Sequence, residues 1–454
     1  MTDTPTRRTF IRQAACATLG TAGLLNTIFD LRKLSAATVS APGDYKALVC
    51  LFLFGGNDAN NALIPHDTAG YSSYAAARGG LALPRTALLR LKLQNGDGRD
   101  FAFHPRMAEM QSLFHAGKLG IIANVGTLVA PVTRAEFLAG RAAVPHQLFS
   151  HADQSVQWQT SVSDKPTRTG WGGRTADLLQ SLNGESKISL TISLAGTNMF
   201  EVGNSVFPYQ ISPQGSIALN GLTGSPNANV RREAFKELLK LPHQNILEQA
   251  YADTVSRSIA DSELLTSALA GVPSLKTEFR PGGLGAQLSM VAKLIAARQN
   301  LNMRRQIFFV AVQGYDTHGR QLPAQANLLG ELSQGLSAFY RATEELGVAE
   351  QVTSFTASDF GRTFPTNGGG SDHGWGSHHF VVGGAVRGGR LYGKFPTLAV
   401  NGPDDTGRGR WIPTTSVDEF SATLASWFGI RASEMPTVLP NIGRFEHPNL
   451  GFLS

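Results

Sequence analysis

Cysteine, charge and long apolar runs are all scarce in this 454-residue sequence. It has two cysteines, and only Cys50 lies beyond the first 37 residues, which excludes a disulfide-stapled scaffold for the remainder. Charged residues make up 16% and hydrophobic residues 42%, a composition typical of a globular chain. A formal net charge of +6 without a basic run gives no support for nucleic acid as a partner. Beyond the N-terminus no stretch reaches 18 apolar residues, so we expect no permanent membrane span.

Residues 1–37 have the pattern of an export signal. Arg7 and Arg8 precede a modestly apolar run from Ala14 to Leu25, and such a pair is typical of a twin-arginine signal peptide. The run is too short to remain in a bilayer, and small residues at 35–37 offer a cleavage site. We therefore expect the twin-arginine export machinery as a partner and a periplasmic or secreted location. The alternative is an accidental arginine pair ahead of an ordinary helix.

Short apolar runs, closely followed by glycine, asparagine or aspartate, alternate with amphipathic segments in the rest of the chain. The runs are 48–54, 119–125, 307–312, 352–356 and 380–382, and the amphipathic segments are 245–269, 284–301 and 324–346. Continuous apolar runs predict strands covered on both faces, and apolar residues spaced by three and four predict helices. We therefore predict an α/β fold, a doubly wound, mostly parallel sheet with helices on both faces, in a single domain over residues 38–454.

Aspartates follow three of the predicted strands: Asp58, Asp316 and Asp359. In open α/β sheets, ligands collect beyond the carboxyl ends of the strands, and carboxylates gathered there repel one another unless a cation neutralises them. Asp316 and His318 stand two residues apart, on one side of an extended chain. A mixed set of aspartates and histidines predicts a zinc site, with manganese or calcium as alternatives. Each aspartate taken alone also fits a turn residue or a helix cap.

A histidine-rich segment follows a glycine-rich loop late in the chain. Residues 372–379 read DHGWGSHH and hold His373, His378 and His379. Imidazoles near strand-end aspartates extend the predicted ligand set, which could hold one or two divalent ions. Glycine beside histidine also occurs in plain surface loops, which is the alternative for this segment.

A candidate nucleophile precedes a predicted helix. Ser150 stands just before His151, where its hydroxyl would cap the helix and meet backbone N–H donors at the positive end of the helix dipole. An anionic ester bound there is polarised, and a metal could activate the hydroxyl. His151 is a candidate proton donor to the leaving group or a contact to a substrate oxygen. The alternative is that Ser150 only caps the helix, with Asp153 as a first-turn acid.

Several short segments form a specific set along the chain. They are RRTF at 7–10, FLFGGNDANN at 52–61, SHADQ at 150–154, TGWGGR at 169–174, DTHG at 316–319, SDFGRT at 358–363, DHGWG at 372–376 and VGG at 382–384. The set resembles the twin-arginine-exported DUF1501 family over nearly the whole mature chain. That family is similar to the alkaline phosphatase and sulfatase superfamily, which implies an alkaline phosphatase-like fold and leaves the substrate open.

Together with the residue patterns above, the resemblance leads to the hypothesis of an exported metal-dependent hydrolase that acts on a small phosphate or sulfate ester. Its metal ligands would be Asp58, Asp316, His318, Asp359, His373 and His378 or His379. Ser150 would attack the ester, and Arg362 or Asn60 would steady the ester oxygens. Phe360 stands where the superfamily often has a histidine, and His373 would replace that ligand.

Two other classes of protein compete with this interpretation. One is a non-catalytic secreted binding or cell-surface assembly protein that keeps the fold. The other is an amidohydrolase-type barrel, which is disfavoured because residues 48–61 lack the expected His-x-His after the first strand.

Overall fold

The computed structural model describes residues 44–454, apart from positions 97, 218–221, 223–226 and 243. The predicted signal peptide, residues 1–37, lies outside the described residues. The described strands are β1 (Lys46–Leu53), β2 (Leu63–Pro65), β3 (Leu89–Arg90), β4 (Phe101–Phe103), β5 (Leu119–Gly126), β6 (Thr191–Ser193), β7 (Tyr209–Ser212), β8 (Gly215–Ser216), β9 (Arg305–Val312), β10 (Val352–Ser358), β11 (Ser377–Gly383), β12 (Leu391–Tyr392) and β13 (Thr415–Ser416). The described α-helices are α1 (Thr68–Arg78), α2 (Ala108–His115), α3 (Arg134–Leu138), α4 (His151–Thr160), α5 (Trp171–Leu179), α6 (Ala228–Leu239), α7 (Ile246–Ala270), α8 (Gly283–Ala296), α9 (Gln321–Glu345), α10 (Val417–Phe428) and α11 (Met435–Val438). Within these ranges no helix is long and apolar enough to cross a bilayer.

Ten strands of the described chain form one mixed sheet. Its order is β12-β5-β11-β10-β1-β9-β6-β7-β8, with β13 paired to β5. β1 lies at the centre, parallel to β9 and β10, and β6 and β7 continue the parallel set. β11 runs antiparallel to both β10 and β5. The sheet ends at β12 and β8 and so does not close into an amidohydrolase-type barrel.

The side chains of β1 explain why helices cover both faces of the sheet. Ala47, Val49, Leu51 and Leu53 belong to one apolar cluster, together with residues of α8 and α9. Leu48, Cys50 and Phe52 belong to a second cluster, together with residues of α5 and α10. Because successive side chains of a strand point to opposite faces, a wholly apolar strand must be covered on both sides. The predicted α/β sheet with helices on both faces is confirmed, and the five predicted strands and three predicted helices form.

The carboxyl ends of β1, β9 and β10 lie side by side at one edge of the sheet. Leu53 at the end of β1 is in register with Val312 of β9 and with Ser358 of β10. Gly55 has a φ of +115°, and a Cβ there would lie 2.3 Å from the backbone nitrogen of Asp316. Only glycine therefore lets the loops after β1 and β9 approach this closely. Their contact fixes the position of Asp316 beyond the sheet edge.

Candidate metal centre

Three side chains from different elements converge beyond this edge of the sheet. His151 is the first residue of α4, Asp316 lies between β9 and α9, and His373 lies between β10 and β11. One ligand atom from each residue lies within 4.8 Å of the other two. The Nε2 atoms of His151 and His373 are each 3.5 Å from Asp316 Oδ1. This spacing suits three ligands of one ion.

A third imidazole meets the same carboxylate. His318 Nε2 lies 3.0 Å from Asp316 Oδ1 and 3.0 Å from His373 Nε2. Two ring nitrogens this close cannot both carry a proton towards each other, so at least one presents a lone pair. His151, Asp316, His318 and His373 are called the His–Asp cluster below.

Each imidazole of the His–Asp cluster is held from behind through its Nδ1 atom. His151 Nδ1 lies 2.6 Å from Asp359 Oδ2, and His373 Nδ1 lies 2.9 Å from the backbone oxygen of Phe149. His318 Nδ1 lies 3.2 Å from Asp372 Oδ1.

Carboxylate and carbonyl oxygens only accept hydrogen bonds, so these contacts place the ring proton on Nδ1 and leave Nε2 with a lone pair. Three lone pairs then face one carboxylate oxygen and repel it unless protons or a cation lie between them. Metal-binding histidines in proteins have this orientation, with an acceptor behind each ring. The donor set therefore fits a divalent ion.

The charges of the His–Asp cluster are unevenly distributed. The hydrogen bond to Asp359 raises the pKa of His151, whereas burial lowers the pKa of His373. At Asp316 burial acts to raise the pKa, but the hydrogen bond and the charge of Arg362 hold it below the ordinary value. At neutral pH the cluster thus offers a carboxylate and a neutral His373, and any proton on His151 Nε2 must leave before an ion binds there.

The start of α4 places His151 in the His–Asp cluster. Ser150 caps the helix by accepting a hydrogen bond from the Asp153 backbone, and its hydroxyl donates to Asp153 Oδ2 at 2.6 Å. The residue before it, Phe149, has a φ of +74°, which is uncommon for a bulky residue. That conformation accompanies the contact of the Phe149 carbonyl with His373. The predicted cap at Ser150 is confirmed, and its role as a nucleophile stays a prediction.

Phe360 forms an apolar wall of the site. Its ring centre lies 4.7 Å from the ring centre of His151 and 4.7 Å from that of His373. This chain thus has, at position 360, an aromatic ring that packs against two imidazoles. Asp359, just before it, is held behind His151, with its Oδ1 free of any hydrogen-bond partner among the described residues.

Asp58, predicted as a metal ligand, lies in a separate buried ion pair. Its Oδ2 accepts hydrogen bonds from Arg78 and from Gln321, and its Oδ1 accepts from the Asn60 backbone at 3.2 Å. Both side chains of the ion pair are fully buried. The guanidinium neutralises this carboxylate inside the fold, so the structure does not bring Asp58 to the His–Asp cluster.

His378 and His379 lie in the core on β11. The Asn124 backbone donates to His378 Nδ1 at 3.0 Å, and the His378 ring stacks on Phe395. The His379 ring centre lies 4.8 Å from that of Trp158. Burial lowers the pKa of each histidine to about 3. The structure thus places two of the predicted ligands among apolar side chains instead of in the His–Asp cluster.

Arg362 and Asn60, predicted to hold ester oxygens, are engaged within the fold. Arg362 is 1% exposed, and its Nη1 donates to the Gly55 carbonyl at 2.9 Å and to Asp316 Oδ1 at 2.8 Å. Asn60 is also buried, with its Oδ1 accepting from Trp411 Nε1 at 2.9 Å. Arg362 therefore orients Asp316, and Asn60 connects two loops.

Sequence reasoning missed three partners of these groups. Asp372 directly precedes His373, so its position beside the histidine-rich segment was an available signal. The Phe149 carbonyl and the Arg78 guanidinium gave no such signal, because a backbone oxygen has no sequence identity and Arg78 resembles any helix-surface arginine.

No curated protein sequence matches the chain. Among solved structures it is similar to the PsFucS1 sulfatase from Pseudoalteromonas sp., with 10% identity, a TM-score of 0.35, and coverage of 90% of this chain and 73% of that chain. It is also similar to the alkaline phosphatase PafA, with 10% identity, a TM-score of 0.28, and coverage of 71% of this chain and 64% of that chain. A third similar structure is a 2-O GAG sulfatase, with 10% identity, a TM-score of 0.30, and coverage of 87% of this chain and 74% of that chain.

A family model described as a protein of unknown function, DUF1501, matches residues 45–435. The match spans most of the chain, which confirms the family predicted from its motifs. This protein belongs to the DUF1501 family.

Proposed function

We propose that this chain is an exported, metal-dependent hydrolase of phosphate or sulfate esters, of the alkaline phosphatase and sulfatase type. The observation that carries the proposal is the His–Asp cluster, in which three Nε2 atoms approach Asp316 Oδ1 at 3.0–3.5 Å. Zinc suits this donor set better than manganese or calcium, because imidazole nitrogen is a good zinc ligand and a poor calcium ligand. When bound, the ion supplies positive charge that stabilises the negative charge developing on the ester oxygens.

In this proposal Ser150 is the nucleophile at the N-terminus of α4, where free backbone N–H groups favour an anion. Its Oγ forms a bond to phosphorus or sulfur while the bond to the leaving oxygen breaks. The hydroxyl proton passes to Asp153 Oδ2, 2.6 Å away, and from there through water to the leaving oxygen, which restores the Asp153 carboxylate. Water then hydrolyses the serine ester and restores the hydroxyl. His151, first considered as a proton donor, is assigned here to the metal.

A non-catalytic metal-binding protein with the same fold is the second candidate. The hydrogen bond from the Asp153 backbone to the Ser150 side chain is the one that a helix cap requires, and the bond from the hydroxyl to Asp153 Oδ2 holds the cap in place without any catalytic role. Arg362 and Asn60 are also occupied inside the fold. A secreted binding or cell-surface assembly protein would have these features with no turnover.

Metal content is the first test. Protein folded with zinc, manganese and calcium available should contain at least one ion per chain by element analysis. The double variant Asp316→Ala, His373→Ala should lose the ion. Asp164→Asn should keep it, because Asp164 pairs with Arg444 on the surface at 2.7 Å. Absence of any ion from the folded wild-type protein would contradict the proposal.

Turnover separates the two candidates. A panel of aryl phosphates, phosphodiesters and aryl sulfates should contain a substrate that zinc-loaded protein hydrolyses. Asn is as good a helix cap as Ser but has no hydroxyl, so Ser150→Asn should keep the thermal midpoint and lose turnover. Ser150→Ala should lose both turnover and about 1 kcal/mol of stability. Retained turnover in Ser150→Asn would exclude Ser150 as the nucleophile, and a silent panel with intact metal would favour the binding protein.

Export through the twin-arginine route is part of the same proposal. Changing Arg7 and Arg8 to lysine should retain the protein in the cytoplasm of an expressing bacterium, whereas the wild-type chain should reach the periplasm or medium. Fractionation with immunoblotting measures this. Equal export of both forms would contradict the route and leave the proposed chemistry unaffected.

A further inference from the structure

The loop between β12 and β13 is built around a buried carboxylate. Asp405 is fully buried and accepts hydrogen bonds from the backbone N–H groups of Asn401, Gly407, Gly409 and Arg410, at 2.7, 2.8, 3.0 and 2.8 Å. Four such bonds to one side chain fix the path of the loop. The residues that the loop presents to the His–Asp cluster are therefore held in a defined position.

Two arginines of this loop approach the His–Asp cluster in different ways. Arg410 Nε donates to the His373 carbonyl at 2.9 Å, and its guanidinium carbon lies 4.2 Å from the centre of the Phe149 ring. Arg408, by contrast, has a side chain that is 70% exposed, and its Nη2 lies 3.4 Å from Asp372 Oδ2. Arg410 thus connects the loop to the residues around His373, whereas the Arg408 guanidinium is exposed to solvent beside Asp372.

The backbone at Arg408 is unusual for this residue type. Arg408 has a φ of +65° and stands between Gly407 and Gly409, which also have positive φ. A side chain other than glycine in this region is uncommon and is found where surrounding structure imposes it, frequently at ligand-binding sites. The hydrogen bonds to Asp405 impose it here and direct Arg408 outward.

The partner of Arg408 links it to the metal site. Asp372 Oδ1 contacts His318 Nδ1 at 3.2 Å, while its Oδ2 faces Arg408. An exposed ion pair contributes little stability, so the guanidinium can exchange Asp372 for an anion of a ligand. Guanidinium also matches phosphate, sulfate and carboxylate with two parallel hydrogen bonds.

We propose that Arg408 is a specificity-determining residue that binds a second anionic group of the substrate. This inference rests on the proposed function: the reacting phosphate or sulfate lies at the His–Asp cluster, and a further phosphate, sulfate or carboxylate on the leaving portion lies at Arg408. The substrate class is therefore an ester with at least one anionic group beyond the one that reacts.

The test compares two esters that differ only in the second charge, phenyl phosphate and 4-carboxyphenyl phosphate, or the matching sulfates. In Arg408→Gln the preference for the carboxylated ester, measured as the ratio of kcat/KM values, should fall about tenfold, mainly through KM. In Arg408→Lys the same ratio should fall less, because lysine keeps the positive charge. Arg90→Gln is the matched control, since Arg90 is 69% exposed and pairs with Asp100 at 2.9 Å. Its ratio should equal that of wild type. An unchanged ratio in Arg408→Gln overturns the inference.

A binding measurement tests the role of Arg408 even if the protein hydrolyses no ester. Calorimetry on zinc-loaded protein with pyrophosphate and orthophosphate should show that Arg408→Gln weakens pyrophosphate binding about tenfold relative to orthophosphate. That result without any turnover would support the role of Arg408 and contradict hydrolysis. Equal affinities of wild type and Arg408→Gln for pyrophosphate would overturn the role of Arg408, whether or not esters are hydrolysed.

Discussion

Replacing Asp359 by asparagine is the sharpest single test of the His–Asp cluster. Asp359 Oδ2 receives the His151 ring at 2.6 Å and the Gly55 backbone N–H at 3.1 Å. Both are donors, so the asparagine must turn its carbonyl oxygen to them and its NH₂ group to the other side. On that side Asp359 Oδ1 is buried and has no partner within the described chain. The variant therefore keeps the shape of the site but loses the charge behind His151.

Two effects of different size follow from Asp359→Asn. Loss of the charged acceptor makes the His151 ring less basic, and comparable outer-shell changes weaken metal binding about 10- to 100-fold. That range corresponds to about 1.4–2.7 kcal/mol of binding free energy. The buried NH₂ group without an acceptor should lower the free energy of unfolding of the metal-free protein by about 1–3 kcal/mol.

Chelator competition at pH 7 measures the zinc affinity, and urea unfolding in the presence of chelator measures stability. His151→Ala should weaken zinc binding more than Asp359→Asn does, because His151→Ala removes the ligand itself. Asp164→Asn, the surface carboxylate paired with Arg444, should leave the zinc affinity unchanged. If folded Asp359→Asn protein binds zinc as tightly as wild type, His151 is not a zinc ligand and the proposed metal site is wrong.

Three further predictions concern buried groups outside the His–Asp cluster. Asp58→Asn leaves Arg78 as an uncompensated buried charge, so the free energy of unfolding measured in urea should fall by about 3–5 kcal/mol. The zinc content should stay unchanged. Loss of zinc from the folded variant would instead make Asp58 a zinc ligand. Burial raises the pKa of Glu201 from 4.5 to about 8, so its contribution to stability is complete below pH 4.5 and is lost as the pH rises through 8. The thermal midpoint of Glu201→Gln should therefore fall less than that of wild type over this range, and parallel curves would contradict the shift. Burial lowers the pKa of His379 from 6.5 to about 3, so its contribution is complete above pH 6.5 and is lost as the pH falls through 3. His379→Gln should reduce this loss in acid unfolding and keep zinc, whereas loss of zinc would return His379 to the ligand set.

The layout of the sheet could be predicted from the sequence because its signals are local. The run at 48–54 is apolar throughout, and a strand of that kind is stable only when both faces are covered. Helix α9 has apolar residues spaced by three and four, so one face of it is buried against the sheet. Such patterns depend only on residues a few positions apart, so contacts with distant parts of the chain do not alter the elements that they predict.

The arrangement of the site was less predictable because its carboxylates look alike along the chain. Asp58, Asp316 and Asp359 each follow a strand, yet only Asp316 faces the three imidazoles directly. Asp58 is neutralised by Arg78, which is the last residue of α1. The sequence predicts a proton-transfer role for His151, whereas its place beside Asp316 depends on how α4 packs against the sheet edge.

The order of residues along the chain is enough to predict apolar strands that alternate with amphipathic helices, and acidic loops at one edge of the sheet. Hydrophobic periodicity is a short-range property, so it specifies the elements and their layers without reference to distant residues. Packing between distant segments selects which of the three aspartates faces imidazoles, which is paired with a guanidinium and which lies behind a histidine. That choice depends on distances and burial between residues far apart in the chain, because a charge removed from water must be paired by whatever the fold brings within reach.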